Sequence, residues 1–178
     1  MIIILPALAQ TNYQYFLSMG MNWGFFDRYG GRGPVLFTEF EIELVNYLKV
    51  SPNLLLAYGN SDHSYLSMDL PEKQYASTTT IEPGLILKII PLPDHFDNIK
   101  IIQGVNYLYE ESVLSNTELS NSWNGKRTDK GINYTWGIDL DFIKLKNYRM
   151  GINWRAHTSK NRVLLYHLGL IANFKIAG

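Results

Sequence analysis

From Tyr13 to Phe26 the odd positions are Tyr13, Tyr15, Leu17, Met19, Met21, Trp23 and Phe25, and the even ones are mostly Gln14, Ser18, Gly20, Asn22 and Gly24. Helical spacing cannot produce this period of two, so the segment predicts a strand with one apolar and one polar face. A second strand is expected over Leu36 to Val50, with Leu36, Phe40, Ile42, Leu44 and Leu48 opposite Glu39, Glu41 and Glu43. Farther on, Ile132, Tyr134, Trp136, Ile138, Leu140 and Phe142 alternate with Asn133, Thr135, Gly137, Asp139 and Asp141. Tyr148, Met150, Ile152, Trp154 and Ala156 alternate with Arg149, Gly151, Asn153, Arg155 and His157. A last strand sets Leu164, Tyr166, Leu168, Leu170, Ala172, Phe174 and Ile176 against His167, Gly169, Asn173 and Lys175.

The middle of the chain reads the same way, with strands near Leu54 to Ser61, Thr79 to Ile90 and Ile99 to Glu110, which makes eight. Pro83 lacks a ladder donor and, beside Gly84, suggests a bulge or a shortened strand. Ser51-Pro52-Asn53, Pro91 to Asn98 and Lys146-Asn147 read as short or moderate turns. Asp27 to Pro34, Asp62 to Thr78 and Glu111 to Lys130 read as longer polar loops, with Thr158 to Asn161 a short exception. Short turns thus gather at one end of the strands and long loops at the other, as in membrane barrels whose long loops face outside.

A four-residue motif, Gly-apolar-Asn-aromatic, occurs at Gly20 to Trp23, Gly104 to Tyr107, Gly131 to Tyr134 and Gly151 to Trp154. In every copy the aromatic falls near the long-loop end. Trp23, Tyr107, Tyr134 and Trp154 are therefore expected to form an aromatic girdle at the outer interface, where amphipathic rings are favoured. Tyr13, Tyr15, Phe142, Tyr148 and Phe174 would line the other interface. The bland alternative is a plain strand preference of aromatic residues. The apolar faces carry no Asp, Glu, Lys or Arg, and only Thr38, Asn46 and Gln103 look out of place.

The chain has 178 residues, of which 46% are hydrophobic and 13% aromatic, and its 16 basic and 16 acidic side chains balance. That is enough for one domain with a substantial core. Zero net charge with no basic run removes the electrostatic footprint of nucleic-acid binding, and the aromatic content argues against a disordered tail. The absence of cysteine excludes a disulfide framework, a thiol catalyst and cysteine-ligated zinc. No internal apolar run approaches the roughly 18 residues of a spanning helix, which leaves open a membrane barrel of strands. Residues 1–9, an apolar stretch ending in Ala7-Leu8-Ala9, read as a truncated secretory signal peptide; the mature barrel domain would occupy residues 10–178.

On these features the chain resembles the small eight-stranded outer-membrane proteins of Gram-negative bacteria, the OmpX, OmpW and OmpA-barrel type. The resemblance runs from about Tyr13 to the C-terminus and is one of pattern. It implies an all-β, eight-stranded antiparallel up-and-down transmembrane barrel in the outer membrane, monomeric and without a cofactor. Its implied partners are outer-membrane lipid, the barrel-assembly machinery and an extracellular ligand or surface partner, but no nucleic acid. Members usually end in a glycine-containing strand with a terminal aromatic. Gly169 and Phe174 match, whereas Ala172 sits at a usually bulkier position and Lys175 to Gly178 extend past the signal.

Eight strands enclose a lumen that side chains can fill, so a wide porin-like pore is not expected. Glu39, Glu41, Glu43, Asp139, Asp141, Arg149 and Arg155 are then read as a structural salt-bridge network of a polar lumen rather than as a catalytic or ion-selecting set. A structural or surface-interaction role would place function in the long loops, with Arg28, Tyr29, Arg32 and Trp123 as contacts. One enzymatic alternative exists. His157-Thr158-Ser159 resembles the His-x-Ser of the outer-membrane lipid A deacylases, which would make His157 and Ser159 catalytic. Lys160 replaces that family's asparagine, and no acid follows His157 to orient it. Asp62-His63-Ser64 reads as a polar loop, and the scattered histidines give no metal-ligand spacing. A soluble lipocalin-like barrel holding a small apolar ligand would use the same alternation with its faces reversed.

Overall fold

A computed structural model describes residues 13–26, 31–62, 74–93, 97–116, 124–159 and 162–177. They form eight strands: β1 (Gln14–Phe26), β2 (Gly31–Val45), β3 (Leu48–Asp62), β4 (Gln74–Ile89), β5 (Ile99–Asn116), β6 (Asn124–Leu145), β7 (Tyr148–Ser159) and β8 (Arg162–Ala177). Each pairs antiparallel with its neighbours in sequence, and β8 pairs with β1 to close the barrel. Closure removes both sheet edges over the paired region, and so satisfies the backbone polar groups without water. The surface is inverted relative to a soluble protein. Met21, Leu36, Leu85, Trp136 and Leu168 are at least half exposed, while Lys49, Lys88, Lys100 and Arg155 are at most 1% exposed.

The segment 1–9 lies outside the described residues, and so do Arg28, Tyr29, Trp123, His63 and Ser64. Several of the expected boundaries are corrected. The first short turn is Asn46-Tyr47, not Ser51-Pro52-Asn53, with Val45 paired to Leu48 across it. Asn tolerates the positive φ of a two-residue hairpin, and Tyr47 O accepts a hydrogen bond from Ile90 N at 2.9 Å. Ser51, Pro52 and Asn53 instead continue β3, with Pro52 facing outward opposite Leu85. The Lys146-Asn147 turn stands as expected, between Leu145 and Tyr148.

Pro83 neither bulges nor shortens its strand. β4 runs in unbroken register with β3 through the Leu54–Pro83 pair. Its ladder to β5 lapses instead, passing from the Ile81–Tyr109 pair to the Gly84–Asn106 pair with no shift of register. Pro52 does the same toward β2, between the Glu39–Asn53 and Ile42–Val50 pairs, and Pro34 toward β3, between Arg32–Asn60 and Val35–Ala57. Each proline keeps one neighbour and gives up hydrogen bonding to the other, where its missing N–H would have pointed.

The strands also reach farther into the long-loop side than the hydrophobic pattern indicates. Residues 31–34, 74–78, 111–116 and 124–130 belong to strands rather than loops. In 31–34 and 76–78 the inward positions stay buried without an apolar pattern, as Thr78 does, whereas Lys126, Arg127 and Thr128 of β6 are all exposed, so alternation disappears there while backbone pairing continues.

Inside, the filling is not wholly polar. Phe26, Val35, Phe37, Leu55, Ala57, Leu165 and Ile171 form a buried apolar cluster on the wall made by β8, β1, β2 and β3. Thr78, Thr80 and Ser112 line the wall of β4 and β5, where Thr78 Oγ1 and Ser112 Oγ are 3.1 Å apart. Apolar side chains fill lumen volume without needing a charge partner, which is why the uniformly polar interior expected from the charged faces is only part of the core.

Candidate functional site: a layered lumen

The strand period delivers inward side chains in layers. Toward the short-turn end, four buried carboxylates, Glu39, Glu41, Asp139 and Asp141, meet four buried cations, Lys49, Lys88, Lys100 and Arg155. Lys88 Nζ lies 2.5 Å from Glu39 Oε2, 2.5 Å from Glu41 Oε1 and 3.1 Å from Asp139 Oδ2. Arg155 pairs with Glu39 and places Nη2 3.3 Å from Asp139 Oδ1. Lys100 reaches Asp141 at 2.8 Å, and Lys49 reaches Glu41 at 3.5 Å and Glu43 at 3.1 Å. Arg149, half-buried near the mouth, is 3.9 Å from Asp141. The seven charged residues read as a lumen network all form ion pairs, in two neighbouring groups: Glu39, Glu41, Glu43, Asp139 and Arg155 around Lys49 and Lys88, and Asp141 with Arg149 around Lys100. Lys49, Lys88 and Lys100 supply the remaining cations of both groups. Aromatic faces add to the cations' solvation, with Lys49 Nζ 4.0 Å from the Phe16 ring centroid and Arg155 Cζ 4.3 Å from that of Phe37.

The next layer comes from the repeated motif. Asn22, Asn106, Asn133 and Asn153 all point inward and are buried, while Trp23, Tyr107, Tyr134 and Trp154 point outward and are about half exposed. Asn22 Nδ2 donates to Asn153 Oδ1 at 2.5 Å, and Asn106 Nδ2 donates to Thr135 Oγ1 at 2.5 Å. The motif thus serves both surfaces at once: its asparagines furnish a polar inner layer and its aromatics part of the outward apolar surface. The asparagine role went unread in the sequence, although the invariance of Asn across four copies carried the signal. Its glycines answer to packing. A Cβ at Gly20 would meet the Phe37 ring at 2.0 Å, and one at Gly151 the Leu140 carbonyl at 2.4 Å, whereas at Gly131 it would meet nothing within 4 Å.

His157 stands in this layer, not in an exposed catalytic pair. Its Nδ1 is 2.6 Å from Glu82 Oε2 and its Nε2 is 3.1 Å from His167 Nε2. The acid absent downstream of His157 is thus supplied by β4. Ser159, however, donates to the Ile132 carbonyl at 3.3 Å. The structure does not bring Ser159 to the imidazole, so the deacylase-like arrangement is not assembled. No group of three or more potential metal ligands occurs among the described residues.

On the outer surface Thr38 is half-buried in a furrow with Met19, Leu36, Leu54 and Ala172, and Gln103 lies in another among Leu85, Leu87, Val105 and Trp136. Asn46 proves to be a turn residue. At the short-turn end Tyr15 stacks on Phe40 with centroids 5.9 Å apart, and Tyr148 meets Phe174 at 5.1 Å. Arg32 is exposed on β2, its Cζ 6.0 Å from the Phe25 centroid.

No protein-family model and no curated protein matches the sequence. Solved structures do. The chain is similar to a major outer membrane protein from Thermus thermophilus (TM-score 0.55, 12% identity, covering 93% of this chain and 100% of that one). It is similar to CarO of Acinetobacter baumannii (TM-score 0.52, 11% identity, 88% and 97% covered). It is also similar to Ail, the attachment invasion locus protein of Yersinia pestis (TM-score 0.50, 11% identity, 92% and 97% covered). In fold the chain is an eight-stranded β-barrel of the outer-membrane type, as the resemblance implied.

Proposed function

We infer that this chain works as a surface-interaction barrel in the outer membrane of a Gram-negative bacterium, and that the outer ends of β3 to β6 are its working part. One observation carries the reading. β6 is 22 residues long, and its first pair with β7 is Tyr134–Thr158, so Asn124–Asn133 pair with β5 on one side and with no strand among the described residues on the other. At about 3.3 Å per residue and a tilt near 40°, β6 spans roughly 55 Å along the barrel axis, well over the ~25–30 Å of hydrocarbon. The surplus stands outside as a sheet with an open backbone edge. Such an edge takes up an extended segment of another chain by strand addition.

The inverted surface argues for the membrane and against the lipocalin-like alternative, since a soluble carrier of apolar ligands would not turn Trp23, Met21 and Leu168 to water and bury Lys88. Trp23, Tyr107, Tyr134 and Trp154 would then meet the outer lipid interface, and Gly169 with Phe174 would serve recognition by the assembly machinery. Ail has been seen in complex with the heparin analogue sucrose octasulfate. A polyanion is a weaker reading here, because Lys126 is already paired to Glu111 at 2.8 Å and Arg127 to Asp129 at 3.2 Å.

The test replaces residues 113–126 by a two-residue hairpin, which keeps the Ser112–Arg127 pair, and compares capture of an immobilised random peptide library with capture by heparin. The reading expects peptide capture by the parent, its loss in the shortened protein, and an unchanged heat-dependent gel shift in both. Equal peptide capture by both proteins, or capture by heparin alone, overturns it.

A further inference from the structure

Gln103 is out of character with the outward surface of β5. The outward positions of that strand read Ile99, Ile101, Gln103, Val105 and Tyr107, so an amide occupies the centre of an otherwise apolar row. Its register partners are Leu87 on β4 and Trp136 on β6, both exposed, with Leu85 and Tyr134 diagonal to it. The furrow between these side chains has a volume of about 300 Å³. Thr38, likewise outward and polar, is half-buried, whereas Gln103 is exposed.

A glutamine amide offers two N–H donors and an acceptor oxygen. Among the described residues none of the three meets a hydrogen-bond partner. The neighbouring backbone is already committed, because the ladders to β4 and β6 both run without interruption from Ile101 to Asn106. On the reading that this face lies in hydrocarbon, lipid tails supply neither donor nor acceptor, and an amide left unmet there is costly. Nor does lipid drive two barrels together as water would, since its tails are as apolar as the surface they cover. A polar pair between barrels is then the contact that distinguishes association from solvation by lipid.

We propose that the outward face of β4, β5 and β6 is a self-association surface, on which two copies of this chain pair through their Gln103 side chains. Copies inserted in the same direction are related by a two-fold axis along the membrane normal, and such an axis brings the same residue of each together. The amide is its own complement: Nε2–H of each Gln103 donates to Oε1 of the other, so two hydrogen bonds form at once. A different partner would have to present a donor and an acceptor at this one place; a second copy carries both by construction. Leu85, Leu87, Val105 and Trp136 surround the pair with apolar surface. The inference rests on the membrane reading above, and it puts a pair of barrels where the resemblance implied a monomer.

Energy transfer between labelled barrels in liposomes tests the pairing. The chain has no cysteine, so one introduced cysteine carries a dye to a single place. Leu92→Cys labels the connection between β4 and β5, and Ile176→Cys labels the end of β8, three strands round the barrel. With Gln103 intact and lipid in large excess, donor- and acceptor-labelled copies should transfer energy above the level of chance encounter, and more from position 92 than from position 176. Gln103→Leu should weaken association about tenfold, as loss of a hydrogen-bonded contact in a membrane implies, and Gln103→Asn should restore part of it. Flotation with the liposomes reads the membrane placement separately. A barrel that stays out of the lipid fraction defeats that reading, and the pairing with it. A barrel that floats with lipid but transfers no energy above chance overturns the pairing alone. So does transfer that Gln103→Leu leaves unchanged, or that is stronger from position 176.

Discussion

Lys88 on β4 reaches past the intervening β3 to Glu39 on β2, with Nζ 2.5 Å from Oε2 and both side chains fully buried. A contact between strands that are not neighbours in the sheet holds the barrel's cross-section, which the ladders alone do not fix. Removing the cation leaves Glu39, Glu41 and Asp139 crowded in a dry interior. Lys88→Met is therefore expected to destabilise the barrel by about 3–5 kcal/mol, the magnitude for breaking a buried pair from one side. The double variant Lys88→Met with Glu39→Gln should recover part of that loss. Equilibrium unfolding in liposomes measures both, and a Lys88→Met protein of parental stability would show that water reaches the network.

The repeated motif offers a contrast in which sequence context is nearly constant. Gly151 faces the Leu140 carbonyl so closely that a Cβ would sit 2.4 Å from its oxygen, while Gly131 has open space. A backbone atom in a paired strand cannot swing aside as a side chain can. Gly151→Ala should cost about 1–3 kcal/mol through strain, and Gly131→Ala should change stability by less than about 0.5 kcal/mol. The same unfolding assay separates them. Equal effects would mean that the motif glycines are kept for backbone freedom and not for close approach.

The eight strands and their two faces were legible because a closed barrel imposes a strict period of two, with the charges gathered on the inward face and the large apolar side chains on the outward one. Glu39, Glu41, Asp139 and Arg155 were placed together on that ground alone. What the alternation could not show lies where it stops carrying information. Proline at position 52 looked like a turn, because a chain read one strand at a time hides that only one of two neighbouring ladders needs its N–H. Residues 124–130 of β6 looked like loop because Lys126, Arg127 and Thr128 are all exposed and burial enforces no pattern there. The partnership of Glu82 with His157 joins residues 75 positions apart on β4 and β7, a relation set by barrel closure and by nothing local.

At the short-turn end the Asp97 carboxyl accepts a hydrogen bond from Lys144, and that bond, with the lysine's charge, holds its pKa below the ordinary aspartate value. A lowered pKa in the folded state means that the pair stabilises the barrel above the usual aspartate range and ceases to do so as acid protonates the carboxyl. Both side chains are substantially exposed, so the contribution should not exceed about 1 kcal/mol and should shrink in salt. Comparing Asp97→Asn with the parent across pH checks the sign: the two proteins should differ near neutrality and converge in acid. A difference that grows as pH falls would contradict the pairing.

Met19 gives the most direct test of what the outer surface faces. It is 53% exposed and lies on β1 midway between Tyr15 toward the short-turn end and Trp23 toward the other, opposite Thr38 on β2 and Ala172 on β8. If hydrocarbon covers it, an arginine there must leave water for the middle of the bilayer, at a cost of roughly 2–4 kcal/mol. If water covers it, the same change replaces an exposed methionine by a better-solvated side chain and should be close to neutral. Met19→Arg is accordingly expected to lower the stability of the liposome-refolded barrel by that amount. Lys130→Arg, near the outer end of β6, should leave stability unchanged, because the site already carries a cation, 5.1 Å from the Tyr109 ring. The depth dependence is the discriminating quantity. A general intolerance of the substituted strands would penalise both positions, whereas a bilayer penalises only the one it buries.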